Sequence, residues 1–319
     1  NVLLVLISCV DSTVRRGACE AIGLLVKKIG QSALTGVFNA LRETLQGYRD
    51  RKVDPGHATH TCAGALFAIA CIWRELNAET AIRQQIVATL MEWCRILDAP
   101  LILRTWAIYS VATMVKHMEA GRDAAGVNET LQTLRVIVSL LELHTVVDWA
   151  IAPEASTTAI TSLPPPPSYE EDSFLAAVAH LINTIIPVLM DIDPTSSLIQ
   201  RLLRVWEVIR VSSDHPIVIQ NCFESVSLLA VFSPSSLSFH SIGELGDFVM
   251  NSPLRGSIST VRALVRTIKA LSICTIDGVM SSQLDVLLFR LLETVLSGLV
   301  CPIAGFWRGV VMIRNNTQS

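Results

Sequence analysis

The sequence predicts an all-α chain, a solenoid of stacked antiparallel helix pairs, and three observations carry that prediction. Of the 319 residues, 51% are hydrophobic, and they recur at three- and four-residue steps, the period of one helix face and not of a strand. The stretch DAPLILRTWAIYSVATMVKH over 98–117 has an earlier counterpart in DSTVRRGACEAIGLLV over 11–26. Counted from Arg15, small or apolar residues fall at Ala18, Ala21, Ile22 and Leu25. Counted from Arg104, the same offsets give Ala107, Ser110, Val111 and Met114. The two arginines stand 89 positions apart, about twice the 40–47-residue period of paired-helix solenoid repeats.

Two looser copies extend the pattern. In DHPIVIQNCFESVSLL over 214–229, Gln220 takes the arginine's place, and STVRALVRTIKAL over 259–271 is centred on Arg262. Gln220 and Arg262 are 42 positions apart, one period; Arg104 and Gln220 are 116 apart, two periods and an insertion of about thirty residues. An aspartate, then Val-Arg, then a stripe of small residues is how the second helix of a HEAT pair begins. Small residues let that helix lie close to its partner, and larger ones fill the layer to the next repeat. The fold class is therefore all-α, a HEAT/armadillo-type α-solenoid.

Taken in order, residues 1–10 read as the end of a buried helix whose partner lies upstream. The next helix covers 12–29 and stops at Gly30, a plausible C-cap. A helix over 32–48 follows, with Val37, Leu41 and Leu45 on one side, and 49–55 is a charged loop. Residues 57–76 form a strongly apolar helix rich in small residues, expected at the centre of the packing. Helices over 79–97 and 98–117 come next, the second capped by Asp98 with Pro100 tolerated near its first turn. Arg104 lies early in it, poorly placed for the macrodipole and well placed to reach an acidic neighbour. A glycine-containing turn at 121–126 precedes a helix over 129–143.

The segment APEASTTAITSLPPPPSYEED over 152–172 breaks the pattern. Four consecutive prolines cannot continue a helix and favour polyproline II. It reads as a linker or looped-out insertion, which accounts for the widened interval. Helices resume over 173–190, 196–211, 216–231, 241–250, 257–273 and 281–299, and 301–319 fits no repeat. The domain organisation is thus 1–151 and 173–300 as repeats, 152–172 as the proline-rich connection, and 301–319 as a tail.

The net charge of −3 offers no basic stripe for phosphates, which argues against nucleic acid as the main partner. None of the eight cysteines forms a CxxC pair, and most fall in apolar helical runs, as reduced thiols of a cytosolic protein do. The mean hydropathy of +0.49 is high. The charge-free apolar runs 63–73 and 295–307 are nevertheless well short of the about 20 residues a membrane span needs, and no signal peptide or transmembrane segment is expected. The chain opens on Asn1 without a methionine, and so reads as a piece of a longer protein.

The stretches VRRGACEAIGLLVKKIG, GHATHTCAGALFAIAC and LRTWAIYSVATMVKHMEAG, in that order, resemble the HEAT repeat-containing protein 5 family. DHPIVIQNCFESVSLLAVFSPSSLSFHSIGELGDFVMNSPL is similar to a later repeat pair of that family. The likeness covers about two thirds of the chain, its more particular features being Gly56-His57 and Arg104-x-Trp106; the proline insertion and the tail depart from it. The resemblance implies a non-catalytic scaffold of the cytoplasm, peripheral to endosome and Golgi membranes through its partners. It implies binding of a clathrin adaptor complex in traffic between endosomes and the trans-Golgi network.

Among candidate sites, Pro166, Pro167 and Tyr169 form a PPxY sequence, a ligand type for WW domains, whose aromatics hold a preformed polyproline helix. The same residues also suit a plain spacer, kept solvated by Glu170, Glu171 and Asp172. His57, His60 and Cys62 lie close in sequence, but on a helix Cys62 points away from the two histidines and no second ligand pair is present. Asp191 and Asp193 read as a helix end and the six tryptophans as inter-helix packing. No nucleotide, metalloprotease or nucleophile-elbow motif occurs, so no enzyme activity and no cofactor is expected. The alternatives are a different HEAT scaffold, of the nuclear transport receptor or phosphatase regulatory subunit type, and a helical enzyme or lipid carrier with one deep apolar cavity.

Overall fold

The structure, a computed structural model, describes residues 2–50, 55–76, 81–118, 124–149, 169–213 and 215–232. Among these there are ten helices and no strand: α1 (Val2–Leu6), α2 (Ser12–Ile29), α3 (Gln31–Arg49), α4 (Pro55–Glu75), α5 (Ala81–Cys94), α6 (Leu101–Lys116), α7 (Ala124–Trp149), α8 (Tyr169–Ile192), α9 (Leu198–Ser212) and α10 (Pro216–Phe232). The expected all-α class holds. The helices expected over 241–250, 257–273 and 281–299, the tail at 301–319 and the copy centred on Arg262 lie outside the described residues.

The chain divides into two compact units, Asn1–Val188 and Leu189–Ser319. In the first, α4 packs against α2, α3, α5 and α6, while α2 packs against α1, α3 and α4. The second helices α2, α4 and α6 thus form a row, and each first helix lies beside its own partner. The central place of α4 follows from its composition. Ala63, Ala65, Ala68 and Ala70 are fully buried and let neighbours approach, while Leu66, Ile69 and Ile72 fill the gaps. Each large side chain so buried contributes about 1.5–3 kcal/mol of transfer free energy.

Local signals set several boundaries as expected. Asp11 caps α2, its Oδ1 accepting from the N–H groups of Thr13 at 2.7 Å and Val14 at 3.2 Å. Gly30 closes α2 at φ 92°, its N–H donating to the Val26 carbonyl at 3.1 Å, and α3 begins at the next residue. A side chain at that φ would be strained, so glycine makes the one-residue turn possible. In the second unit, Asp193 Oδ1 accepts from Thr195 N and Oγ1 at 3.3 and 3.0 Å just past the end of α8, so this carboxylate does belong to a helix end. The Trp206 indole of α9 donates to the Cys222 carbonyl of α10 at 3.1 Å and joins that pair.

Helix α1 is five residues long and buries none of them, with Val2 and Val5 exposed. Three expectations need correction. Asp98 does not cap α6. The helix starts on Pro100, whose carbonyl accepts from Leu103 and Arg104, because the proline ring fixes the last extended residue next to the first turn. Gly126 belongs to α7 and not to a turn, so that helix begins earlier and ends later than 129–143. Finally, α8 starts at Tyr169 and includes Glu170, Glu171 and Asp172, the last three residues assigned to the linker. Three acidic side chains in a first turn suit the positive end of the helix dipole.

Helix α8 also revises the membrane reading. Its residues 173–190 carry no charged side chain, and by length and composition the helix could cross a bilayer, but 72% of its apolar window is buried inside the protein. It is a core helix whose neighbours supply the apolar surroundings.

Two outcomes follow from this packing. A Cβ added to Gly23 would stand 2.7 Å from the Cys71 carbonyl oxygen of α4, so Gly23→Ala should push α2 off α4 and lower stability by about 1–3 kcal/mol in denaturant titration. Burial pushes the thiols of Cys62, Cys71, Cys94 and Cys222 up to about 12 and that of Cys19 higher still, while Cys9 is half-buried. Alkylation of the folded protein near pH 8, read by mass spectrometry, should therefore modify Cys9 first among these six.

Candidate functional site

Of the proline–tyrosine motif, Pro166 and Pro167 lie outside the described residues. Tyr169 opens α8 with 75% of its surface exposed, and its carbonyl accepts from Ser173 Oγ at 2.8 Å. Across from α8, burial pushes the Tyr109 hydroxyl of α6 up, Arg16 opposing the shift and Tyr169 adding to it.

The most organised polar groups sit at the heads of the second helices. Arg15 and Arg104 are each the fourth residue of their helix, α2 and α6, and each is almost fully buried, at 2% and 6% exposure. Arg15 Nη1 donates to the Cys9 carbonyl at 2.5 Å, just beyond α1, and lies 3.3 Å from His60 Nδ1 of α4. Arg104 reaches the equivalent place through a relay. Its Nη2 is 2.8 Å from His144 Nδ1 of α7, and His144 Nε2 is 2.8 Å from the carbonyl of Cys94, the last residue of α5. Only a protonated Nε2 can donate to that carbonyl, so Nδ1 is the acceptor for the guanidinium and His144 is the neutral Nε2–H tautomer. In both cases a cation stands at the C-terminal end of the first helix of the pair, where carbonyls lack intrahelical partners.

The arginines also stack on aromatic rings. Arg15 Cζ lies 4.6 Å from the Trp106 ring centre, and Arg104 Cζ 4.8 Å from that of Phe174 in α8. Trp106 meets Phe67 edge-on at 5.3 Å and Tyr109 at 6.2 Å, and Tyr109 meets His180 of α8 at 5.7 Å. Trp106, Tyr109 and His180 are half-buried, so a strip of rings crosses from α6 to α8 with part of its surface open to solvent.

His60 and Cys62, weighed as metal ligands, face different groups. Cys62 Sγ lies 3.9 Å from the Thr44 carbonyl while His60 turns to Arg15. Among the described residues no three His, Cys, Asp or Glu side chains form a metal-holding group. The reading of Trp73 as packing holds, since its indole is buried and donates to the Met114 carbonyl at 3.2 Å. Arg104 was visible in the sequence; His144 was not. It lies 40 positions away in an unremarkable helical run, and one repeat period was the only signal that could have found it.

No family model and no curated protein matches the chain. Among solved structures it is similar to the crystal structure of an engineered protein, with 15% sequence identity and a TM-score of 0.38, over 93% of this chain and 98% of that one. A likeness at that level carries no argument about fold or function.

Arg104→Ala should lower stability by about 3 kcal/mol, the range for a buried charged hydrogen-bonding group removed with its packing. His144→Phe removes the acceptor for Arg104 Nη2 and the donor to Cys94 together. The double variant should cost clearly less than the two single changes added, which a double-mutant cycle in denaturant would measure.

Proposed function

We propose that the chain is a HEAT/armadillo-type α-solenoid that acts as a non-catalytic scaffold for protein–protein interaction. The observation that carries this reading is the spacing of its inter-pair bonds. Seven side-chain hydrogen bonds in the first unit join residues 40 to 50 positions apart, from Arg104–His144 at 40 to His144–Cys94 at 50. That is the length of one helix pair of a HEAT array. A chain whose neighbours in space are one repeat away in sequence is stacked pair upon pair. Buried thiols shifted far above neutral pH and arginines committed to helix ends also suit a packing role over a chemical one.

The half-buried rings of Trp106, Tyr109 and His180 supply what a partner surface needs, rigid apolar area with polar edges. The proposed partner class rests on the resemblance to the HEAT repeat-containing protein 5 family. It is a clathrin adaptor complex, engaged from the cytoplasm at endosome and Golgi membranes, with the membrane reached only through partners. The exposed Tyr169 adds a second mode, docking of a WW-domain protein on Pro166, Pro167 and Tyr169.

An affinity pull-down from cytosol with the chain and its Tyr169→Ala variant tests both. Recovery of adaptor subunits by both forms is the expected result. Recovery of WW-domain proteins by the unmodified form alone would make the proline segment the functional site. Recovery of neither class would remove the trafficking assignment.

A further inference from the structure

We propose that the relay from Arg104 through His144 to Cys94 is an acid-sensitive joint. It ties α5, α6, α7 and α8 together while His144 is neutral, and releases them when Nδ1 of that ring takes up a proton. The ring is 1% exposed and uses both nitrogens on its neighbours. Nε2 donates to the Cys94 carbonyl at 2.8 Å, and Nδ1 accepts from Arg104 Nη2 at 2.8 Å. Its face meets Phe174 of α8 at 5.5 Å between ring centres, and Arg104 Cζ lies 4.8 Å from the centre of the same phenyl ring. One imidazole on α7 thus touches the end of α5, the head of α6 and the start of α8.

Protonation is incompatible with this arrangement. An imidazolium carries an N–H at both nitrogens and has no acceptor, so a proton on Nδ1 would point at an N–H of the guanidinium 2.8 Å away. Donor would face donor and cation would face cation between two buried side chains, where charge is poorly screened. Arg104 stays ionised near neutral pH, and its Nε is already buried without an acceptor. The other titratable groups do not relieve the conflict. Burial pushes the Cys94 thiol of α5 up to about 12, so it stays uncharged. On α8, Asp172 is buried two positions before Phe174, and one carboxylate balances one cation, which Arg104 already is. On α7, Glu142 is two positions from His144 and so on another side of the helix.

The folded chain therefore holds His144 at a lower proton affinity than the unfolded chain, whose histidines titrate near about pH 6.5. Below that pH the unfolded chain binds the extra proton and the folded chain resists it, so stability falls as pH falls. The related pair in α2 and α4 lacks this dependence. Arg15 Nη1 lies 3.3 Å from His60 Nδ1, but it reaches the Cys9 carbonyl without His60, and the His60 ring is only half-buried.

Urea titrations of the full chain, His144→Gln and His60→Gln at several pH values between 7.5 and 5 test the joint. Glutamine can donate and accept but does not titrate. Between pH 6.5 and 5.5 the unfolding constant of the unmodified chain should rise about three- to tenfold more than that of His144→Gln, tenfold being the limit for one proton. His60→Gln should follow the unmodified chain. The comparison is made between variants because His117 is also held low, by partial burial and then by Arg74 and Lys116, and it acts alike in all three. Hydrogen exchange of the unmodified chain needs no variant: after correction for intrinsic rates, protection in α5 to α7 should drop between pH 7.5 and 5.5 by more than in α2 to α4. The same pH dependence with and without His144, its loss in His60→Gln, or acid-insensitive protection in α5 to α7 would each overturn the proposal. The outcome is independent of which protein the pull-down recovers.

Discussion

Two helix pairs in the first unit, α1–α2 and α5–α6, are held by a cation placed where one helix ends and the next begins. A helix leaves its last four carbonyls without intrahelical partners, and a chain that turns back on itself must bury some of them. Arg15 and Arg104 answer that demand from the fourth position of the following helix, one directly and one through His144. The guanidinium suits this better than an ammonium would. It stays charged when buried, it offers several N–H groups in a plane, and its face can stack on an aromatic ring while its edge donates. Both arginines do both things. The ring beneath Arg15 belongs to α6 and the ring beneath Arg104 to α8, so each side chain joins the turn ahead of its own helix to a further helix.

The position of those arginines was legible in the sequence because it repeats. An Arg followed by small residues at fixed offsets, recurring after 89 positions, needs no tertiary knowledge to be recognised. The bounds of α2 were legible for the same kind of reason, since an aspartate cap and a terminal glycine are local signals. What failed was each case in which two local signals competed. Asp98 is a good capping residue, but Pro100 two positions later fixes where the helix can begin. Gly126 is a common breaker, yet the helix around it carries the buried side chains of Thr130, Leu134 and Ile137, and their packing outweighs the modest cost of one glycine. The acidic residues before Ser173 looked like solvated linker, whereas they form the first turn of α8.

The candidate site was legible in a more limited way. The proline–tyrosine motif is a run of adjacent letters, so it is read easily and says little about its surroundings; the structure adds that Tyr169 is exposed at a helix start. The strip formed by Trp106, Tyr109 and His180 is the opposite case. Trp106 and Tyr109 share a helix, but His180 comes from another element 71 positions on, and nothing in its local sequence marks it. Side chains brought together by stacking leave no contiguous motif. They become visible only once the helices are packed together.

Helix packing also explains why hydropathy misleads for this chain. A helix with other helices on several sides leaves little of its circumference to water. α4, which contacts four other helices, is the clearest instance. Such a helix becomes apolar on almost every side and loses the two-faced pattern that marks an ordinary surface helix. α8 carries this furthest, with eighteen consecutive uncharged residues, mostly buried by the protein itself. A helix apolar all round requires either lipid or other helices around it, and composition cannot separate the two. Neighbours can. His180 of α8 packs against Tyr109, and Phe174 packs against His144 and Arg104, so polar groups from other helices lie along the apolar helix at intervals.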